Sequence, residues 1–324
     1  MYVTAPWVGR IYAVLRSTPC DASPSPRFSR GEGRGEGRQQ SPEQAAAPHP
    51  NPLPTEEWGE GTREVAVFAD TFNTYFEPEN LHAAVEVLTH LGYRVALLRP
   101  EGGSSAGGRS QNESRPLCCG RTFLSAGLVD EARVEARRLL AAAAPFLARG
   151  TAIVGLEPSC LLTLRDEFLA MLPGAETERL ARHAFLLEEF LVREAAAGRI
   201  AGPIGRHQAK VLLHGHCHQK AFGAMGSVGA ALGLVEGLEV ETVESSCCGM
   251  AGAFGYGADS YAVSVAMGEL TLLPAVRRAA PDAVVAADGF SCRHQIRDGT
   301  GRQPRHVARI LSEAISGTTP KQAS

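Results

Sequence analysis

From Val65 the run Val-Ala-Val-Phe-Ala has the apolar density of a short buried strand. Pro78 to Leu91 then carries Leu81, Val85 and Leu88 on one helical face. Gly92 is placed to stop that helix, and Tyr93 to Leu98 reads as a second strand. Strand, helix, strand predicts a parallel βαβ unit. A Gly/Ser-rich loop is expected over Glu101 to Ser114, an Ala- and Arg-rich helix over Leu128 to Leu147, and a third strand over Thr151 to Leu156 that ends in the turn Glu157-Pro158-Ser159-Cys160. Residues 161 to 198 follow a helical period, with Leu164, Phe168 and Leu172 in one stripe and Leu180, Leu187 and Leu191 in another; they read as a connecting helical hairpin.

The same order then recurs. Lys210 to Leu213 restarts the strand signal, Ala221 to Leu232 the helix and Glu239 to Val243 the next strand. Ala258 to Ala279 supplies a helix in which Pro274 predicts a bend or break, Ala283 to Ala287 a strand, and Gly289-Phe290-Ser291-Cys292 the turn after it. Arg305 to Ile315 reads as a closing helix. The fold class expected is α/β: two similar lobes from an internal duplication, each a mostly parallel sheet flanked by helices. The lobes span residues 63–160 and 207–315, with a helical connector at 161–206 and a flexible C-terminus at 316–324. Residues 1–62, with the near-repetitive Arg30 to Arg38 and prolines at 48, 50, 52 and 54, cannot bury enough surface to fold and read as a disordered tail. Their abrupt join to the first strand also suggests a truncated fusion.

Composition narrows the function classes. Over 324 residues the net charge is −3, with no long basic run, so nucleic acid is not expected as a partner. No apolar stretch reaches the length needed to span a bilayer and no signal peptide is evident, which places the chain in the cytoplasm, or at a membrane surface through a partner. Eight cysteines are too few for a disulfide-stapled scaffold of this length. Cys20 alone reads as a small packed hydrophobe.

The other seven form a pattern. Cys118-Cys119-Gly120 and Cys247-Cys248-Gly249 are each trailed some forty residues later by a cysteine after an apolar run, Cys160 and Cys292. The second copy adds Cys217, giving four thiols on three loops; the matching place in the first, within Asp70-Thr71-Phe72-Asn73, holds none. Four thiolates suit an iron–sulfur cluster or a structural zinc, and the missing Cys-x-x-Cys pairs favour iron–sulfur. Glycine after each pair permits a positive φ and brings backbone N–H groups to the sulfurs; the following helix would add its N-terminal field. His214, His216 and His218 alternate as on a strand end. His218 could serve as ligand or proton donor, or face solvent in support of the site, and Lys220 and Arg293 could balance charge there or be solvated.

These triplets, the Pro-Ser-Cys160 and Phe-Ser-Cys292-Arg-His turns, and His214-Gly-His-Cys-His-Gln-Lys220 resemble the cysteine-rich CCG domain. That domain is known from the B subunit of heterodisulfide reductase, glycolate oxidase iron–sulfur subunits, lactate-utilisation proteins and FAD-linked oxidase/ferredoxin fusions. The likeness covers roughly residues 64 to 311 and is greatest to the C-terminal part of the fusions. It implies electron transfer through an iron–sulfur cluster of 4Fe-4S type held by Cys217, Cys247, Cys248 and Cys292, and less surely by Cys118, Cys119 and Cys160. It also implies FAD only on a partner chain: a flavin-containing dehydrogenase subunit acting on a 2-hydroxy acid, with a ferredoxin-like iron–sulfur protein. The family's pattern closes with Cys-x-x-Cys, whereas Thr163 and Gln295 stand here, which leaves cluster type and count open. His218 and Lys220 are the only candidates for a catalytic role. Two other functions stay open: a cluster-based disulfide or heterodisulfide reductase, and a cluster-free or zinc-bearing interaction module.

Overall fold

The computed structural model describes residues 63–100 and 115–317. The expected N-terminal tail, the Glu101–Ser114 loop, Cys20 and nearly all of the expected flexible C-terminus lie outside the described residues.

The protein is α/β, with two parallel sheets. The first has the order β2-β1-β3-β4, from β1 (Glu64–Val67), β2 (Arg94–Leu97), β3 (Ala152–Gly155) and β4 (Ala184–Leu186). The second has the order β6-β5-β7, from β5 (Gly205–Leu213), β6 (Val235–Thr242) and β7 (Val284–Ala286), with a register shift between Arg206 and Ala209. In each sheet the first strand lies centrally between the second and third. A parallel bridge from Ala286 to Arg305 occupies, beside β7, the place that β4 takes beside β3.

Strand alternation explains the layering. Val65 and Val67 of β1, with Val211 and Leu213 of β5, face a common central core. That core is filled by the helices Pro78–His90, Leu187–Ala196, Met225–Leu232 and Val307–Ser316. Ala66 and Phe68 face the opposite way, onto the helix Val129–Leu147. Leu212 and Val285 cover a smaller outer cluster that contains Cys248 and Cys292. The result is a sheet, a shared helical layer and a second sheet, with further helices outside both.

Two expectations fail locally. The hairpin expected over 161–198 is a run of short helices interrupted by β4; Ala184, Phe185 and Leu186 are buried on both faces beside β3, and three apolar residues in a row carry no period of their own. His214, His216 and His218 do not alternate along a strand. β5 ends at Leu213, and His216 caps the helix Cys217–Ala221, its Nδ1 accepting from the His218 N–H at 3.1 Å. The break expected from Pro274 is present. The helices Tyr261–Glu269 and Leu272–Arg278 part at Leu270 and Thr271, and Leu270 is the residue whose carbonyl a proline at position 274 cannot bond.

Buried and half-buried side chains join the two sheets. The Arg293 Nε donates to Glu77 at 2.7 Å, and its Nη1 to the carbonyls of Ala287 and Asp288 at 2.9 and 2.6 Å. Glu157 accepts from the Phe290 N–H at 2.8 Å, and Phe72 stacks on Phe290 with centroids 4.7 Å apart. Arg293 is therefore neither solvated nor a free counter-charge; it ties the two halves together.

A candidate iron–sulfur centre

All seven cysteines among the described residues are unbridged, and they gather at the carboxyl ends of the two sheets, where open α/β sheets hold ligands. Cys217 opens the helix after β5, Cys247 and Cys248 follow β6, and Cys292 lies in the first turn of the helix Phe290–Thr300 after β7. Cys118 and Cys119 precede the helix Arg121–Ser125, and Cys160 lies in the first turn of Pro158–Thr163.

In the second set the sulfurs form a row. Cys217 is hydrogen-bonded to Cys247 and Cys247 to Cys248, while the sulfurs of Cys248 and Cys292 are 3.4 Å apart. Contact with Cys217, then with Cys248, draws the Cys247 thiol far below its ordinary value; contact with Cys248 does the same for Cys292. Cys217 is pushed the other way by contact with Cys247 and then by burial, and Cys248 by Cys247, Cys292 and burial. The accessibility of the row is graded as well: Cys217 is exposed, Cys247 half-buried, and Cys248 and Cys292 buried.

The backbone is shaped for those sulfurs. Gly249 has φ +97°, and its N–H donates to the Cys247 sulfur at 3.3 Å. A Cβ at Gly249 would collide with the Ser264 carbonyl oxygen, so only glycine fits. Gly120 repeats this with φ +77°, donating to Cys118 at 3.4 Å, and Arg121 N–H reaches Cys119 at 3.4 Å. The expectation that a helix follows each triplet holds only for the first. After Gly249 comes an irregular loop with Ala251 at φ +40° and a short 3-10 turn, Phe254–Tyr256, before the next helix begins at Tyr261.

The first set differs electrostatically. Contact with Cys119, then burial, holds the Cys118 thiol well up. Cys119 is drawn down by Cys118, but Cys160 and burial outweigh that and leave it well up. Cys160 is drawn down by Cys119, yet burial and the Asp70 and Glu157 carboxyls push it up to about 12. All three are pushed up, whereas Cys247 and Cys292 of the second set are drawn down. Thr71 stands where Cys217 stands in the other half, since Asp70 and His216 both cap the next helix with a side-chain acceptor. The positions that could have closed the pattern are turned to other work: Thr163 donates to the Ser159 carbonyl at 2.7 Å, and Gln295 to the Ser264 carbonyl at 3.1 Å.

The histidines and Lys220 surround the second set. A ring nitrogen of His214 and the sulfurs of Cys248 and Cys292 lie within 4.8 Å of one another. His214 Nδ1 bonds Ser245 at 2.9 Å, and the ring also interacts with the Cys292 thiol, helping to draw it down. His216 and His218 stack at 5.1 Å, and both reach the Cys217 sulfur, at 3.9 and 3.6 Å. Burial, then the neighbouring His216 and Arg121, brings His218 down to about 4, so it is neutral at pH 7. Burial lowers Lys220, whose ammonium bonds the carbonyls of Ser245 and Ser246, the latter at 2.9 Å. Lys220 therefore pins the loop leading into Cys247. Sequence pattern gave His214 no role of its own; its signal is only its place directly after a buried strand.

The residues fit an iron–sulfur group on the chemistry of their donors. Four sulfurs contact one another in sequence, a backbone N–H donates to Cys247, and the buried His214 ring lies beside Cys248 and Cys292. Residues 211–297 match the profile of the CCG cysteine-rich domain. That segment is a CCG domain. Its bounds take in Cys217, Cys247, Cys248 and Cys292 and leave the first cysteine set outside. The chain is 27% identical over 254 residues to the C subunit of the Escherichia coli (strain K12) anaerobic glycerol-3-phosphate dehydrogenase, covering 78% of this chain and 59% of that one. It is 28% identical to the D-2-hydroxyglutarate dehydrogenase of the same organism over 258 residues, covering 78% of this chain and 23% of the other. A Pseudomonas putida D-2-hydroxyglutarate dehydrogenase is likewise 28% identical, with 77% and 22% covered. The chain thus spans only part of the relatives it matches. Among the described residues no helix is long and apolar enough to cross a membrane.

Proposed function

We propose that this chain is the iron–sulfur electron-transfer component of a flavin-dependent oxidoreductase acting on a 2-hydroxy acid or similar small substrate. The observation that carries the reading is the row of four sulfurs, Cys217, Cys247, Cys248 and Cys292, with Cys248 and Cys292 3.4 Å apart and a glycine amide donating to Cys247. These residues would hold a 4Fe-4S-type cluster, and when bound it supplies one-electron redox chemistry at the carboxyl edge of the second sheet. The protein's own part is to fix those four sulfurs, to offset the negative charge of the ligating sulfurs with N–H groups and the Lys220 ammonium, and to leave Cys217 as the exposed end facing a redox partner. The names of the relatives support a dehydrogenase setting. On this reading FAD sits on a partner chain, a ferredoxin-like protein passes electrons on, and the site is cytoplasmic or held at a membrane by a partner.

The matching strand orders support an origin by internal duplication, with lobes at 63–160 and 207–315 joined by the segment 161–206 that also supplies β4. Cys118, Cys119 and Cys160 are then a degenerate counterpart. A second reading, direct reduction of a disulfide substrate at the centre, is favoured by the exposure of Cys217 beside the neutral His218.

Anaerobic purification with iron and acid-labile sulfide analysis, visible absorption and EPR after reduction tests the proposal. Cys247→Ser and Cys248→Ser should each lose or alter the spectrum, while His218→Ala should keep it. A colourless protein with zinc or no metal would sink it. Turnover of a heterodisulfide by the chain alone would favour the second reading.

A further inference from the structure

Of the four sulfurs in the row, Cys217 is the exposed one, and it stands on a helix of five residues, Cys217–Ala221. So short a helix does not hold its own shape in water, and its place is set by what it is tied to. The tie on its inner side is Gln219, which is 0% exposed. Gln219 Oε1 accepts from the His216 N–H at 2.9 Å, and its Nε2 donates to Asp288 Oδ2 at 2.8 Å. Asp288 is buried as well and is itself held, its Oδ1 accepting at 3.0 Å from the Val307 N–H that opens the closing helix. Asp288 and Gly289 lead directly into the helix Phe290–Thr300, which carries Cys292. Gly289 completes the joint: a Cβ there would collide with the His216 ring and press on the Cys292 sulfur.

The two ends of the row, Cys217 and Cys292, are thus joined behind the sulfurs through one amide and one carboxylate. The side chain at 219 has to accept from a backbone N–H and donate to a carboxylate at the same time. An amide does both; a carboxylate has no proton to give, and an aliphatic chain does neither. Lys220, next in the chain, ties the same helix to the carbonyls of Ser245 and Ser246 ahead of Cys247. We propose that Gln219 is a positioning residue of the centre: through Asp288 it fixes the spacing of Cys217 from the other three sulfurs. The purpose of that spacing rests on the iron–sulfur reading of the site; its geometry does not.

The full chain, metal-free and reduced, is treated with diamide, whose N=N bond takes up two electrons and two protons as the Cys217–Cys247 disulfide forms; peptide mass mapping gives the rate. Gln219→Leu keeps the bulk and removes both hydrogen bonds, and Gln219→Glu sets a carboxylate against Asp288. Each should close at least about tenfold more slowly, since a misplacement of about 1 Å can cost a hundredfold. Adding Asp288→Asn to Gln219→Glu exchanges amide and carboxylate, restores the hydrogen bond in the reverse sense and should restore most of the rate. Near-UV circular dichroism checks each fold; if Gln219→Leu does not fold, Gln219→Glu with and without Asp288→Asn decides alone. Closure at the wild-type rate in the single variants overturns the assignment, and so does an exchanged pair as slow as Gln219→Glu. After iron and sulfide are restored, the EPR line shape should follow the same order. A wild type that stays colourless sinks the iron–sulfur reading, while the closure rates still decide the role of Gln219.

Discussion

Truncating Glu77 to alanine should destabilise the protein by about 3 kcal/mol, because it strips the carboxylate from a buried cation and leaves the cation in place. The Arg293 side chain is 4% exposed and that of Glu77 15%. Two unit charges at about 4 Å attract by roughly 4 kcal/mol at an effective dielectric constant near 20, and breaking a buried pair by removing one partner costs about 3–5 kcal/mol. The lower end applies here, since the guanidinium keeps the Ala287 and Asp288 carbonyls. Urea unfolding followed by circular dichroism at pH 7 measures it, and the melting temperature should fall by roughly 6–12 °C for a protein of this size. The conservative Glu77→Gln should lose less, and Arg293→Met added to Glu77→Ala should restore part of the loss, because no unpaired charge is then buried. Burial alone would raise the Glu77 carboxyl; Arg293 overrides that and holds it below its ordinary 4.5. A group depressed in the folded state stabilises above its unfolded value and loses that contribution as pH falls through the folded one. The wild type should therefore lose stability in acid more steeply than Glu77→Ala. A Glu77→Ala variant within about 0.5 kcal/mol of wild type would refute the view that this pair fastens the two sheets.

Gly249→Ala should abolish iron incorporation, or prevent folding, because a Cβ there collides with the Ser264 carbonyl and φ is +97°; iron and sulfide content after anaerobic purification reads it. Tyr93→Phe removes a 2.5 Å hydrogen bond to Glu194, and urea unfolding should show a loss of about 1.5–3 kcal/mol. Glu157 is raised to about 8 by burial, opposed by Arg293 and reinforced by Asp70. A carboxyl raised in the folded state stabilises most below its unfolded value, so stability should fall as pH rises from about 4.5 to 8, by no more than about 1.4 kcal/mol per pH unit. Glu157→Gln should flatten that slope in a pH series of melting curves.

The strands were legible where apolar runs were bounded by glycine or proline: β1, β2, β3 and β7 lie where Val65, Val95, Ile153 and Val285 placed them, and Gly92 stops its helix at φ +83°. Cys-Cys-Gly was legible because its chemistry is local: one glycine supplies both the positive φ and the amide for the sulfur before it. β4 was not, since burial on both faces erases the period that separates a strand from a helix. The three histidines were misassigned because the alternation of His214, His216 and His218 fits a strand, whereas Gln219 and the His216 cap close a helix there, the Gln219 side chain accepting from the His216 N–H at 2.9 Å. Arg293 had no local signal for its role, which depends on Glu77, 216 residues away in the chain.

The graded exposure of the sulfur row also decides how the centre fails in air. Cys217 is open to solvent and hydrogen-bonded to Cys247, which is drawn to the thiolate, the form that attacks and oxidises. A metal-free chain handled aerobically is set to close Cys217 onto Cys247 while Cys248 and Cys292 stay sheltered beneath. The damage would then be a reversible lock at the mouth of the site, so a reducing agent should come before iron in any reconstitution.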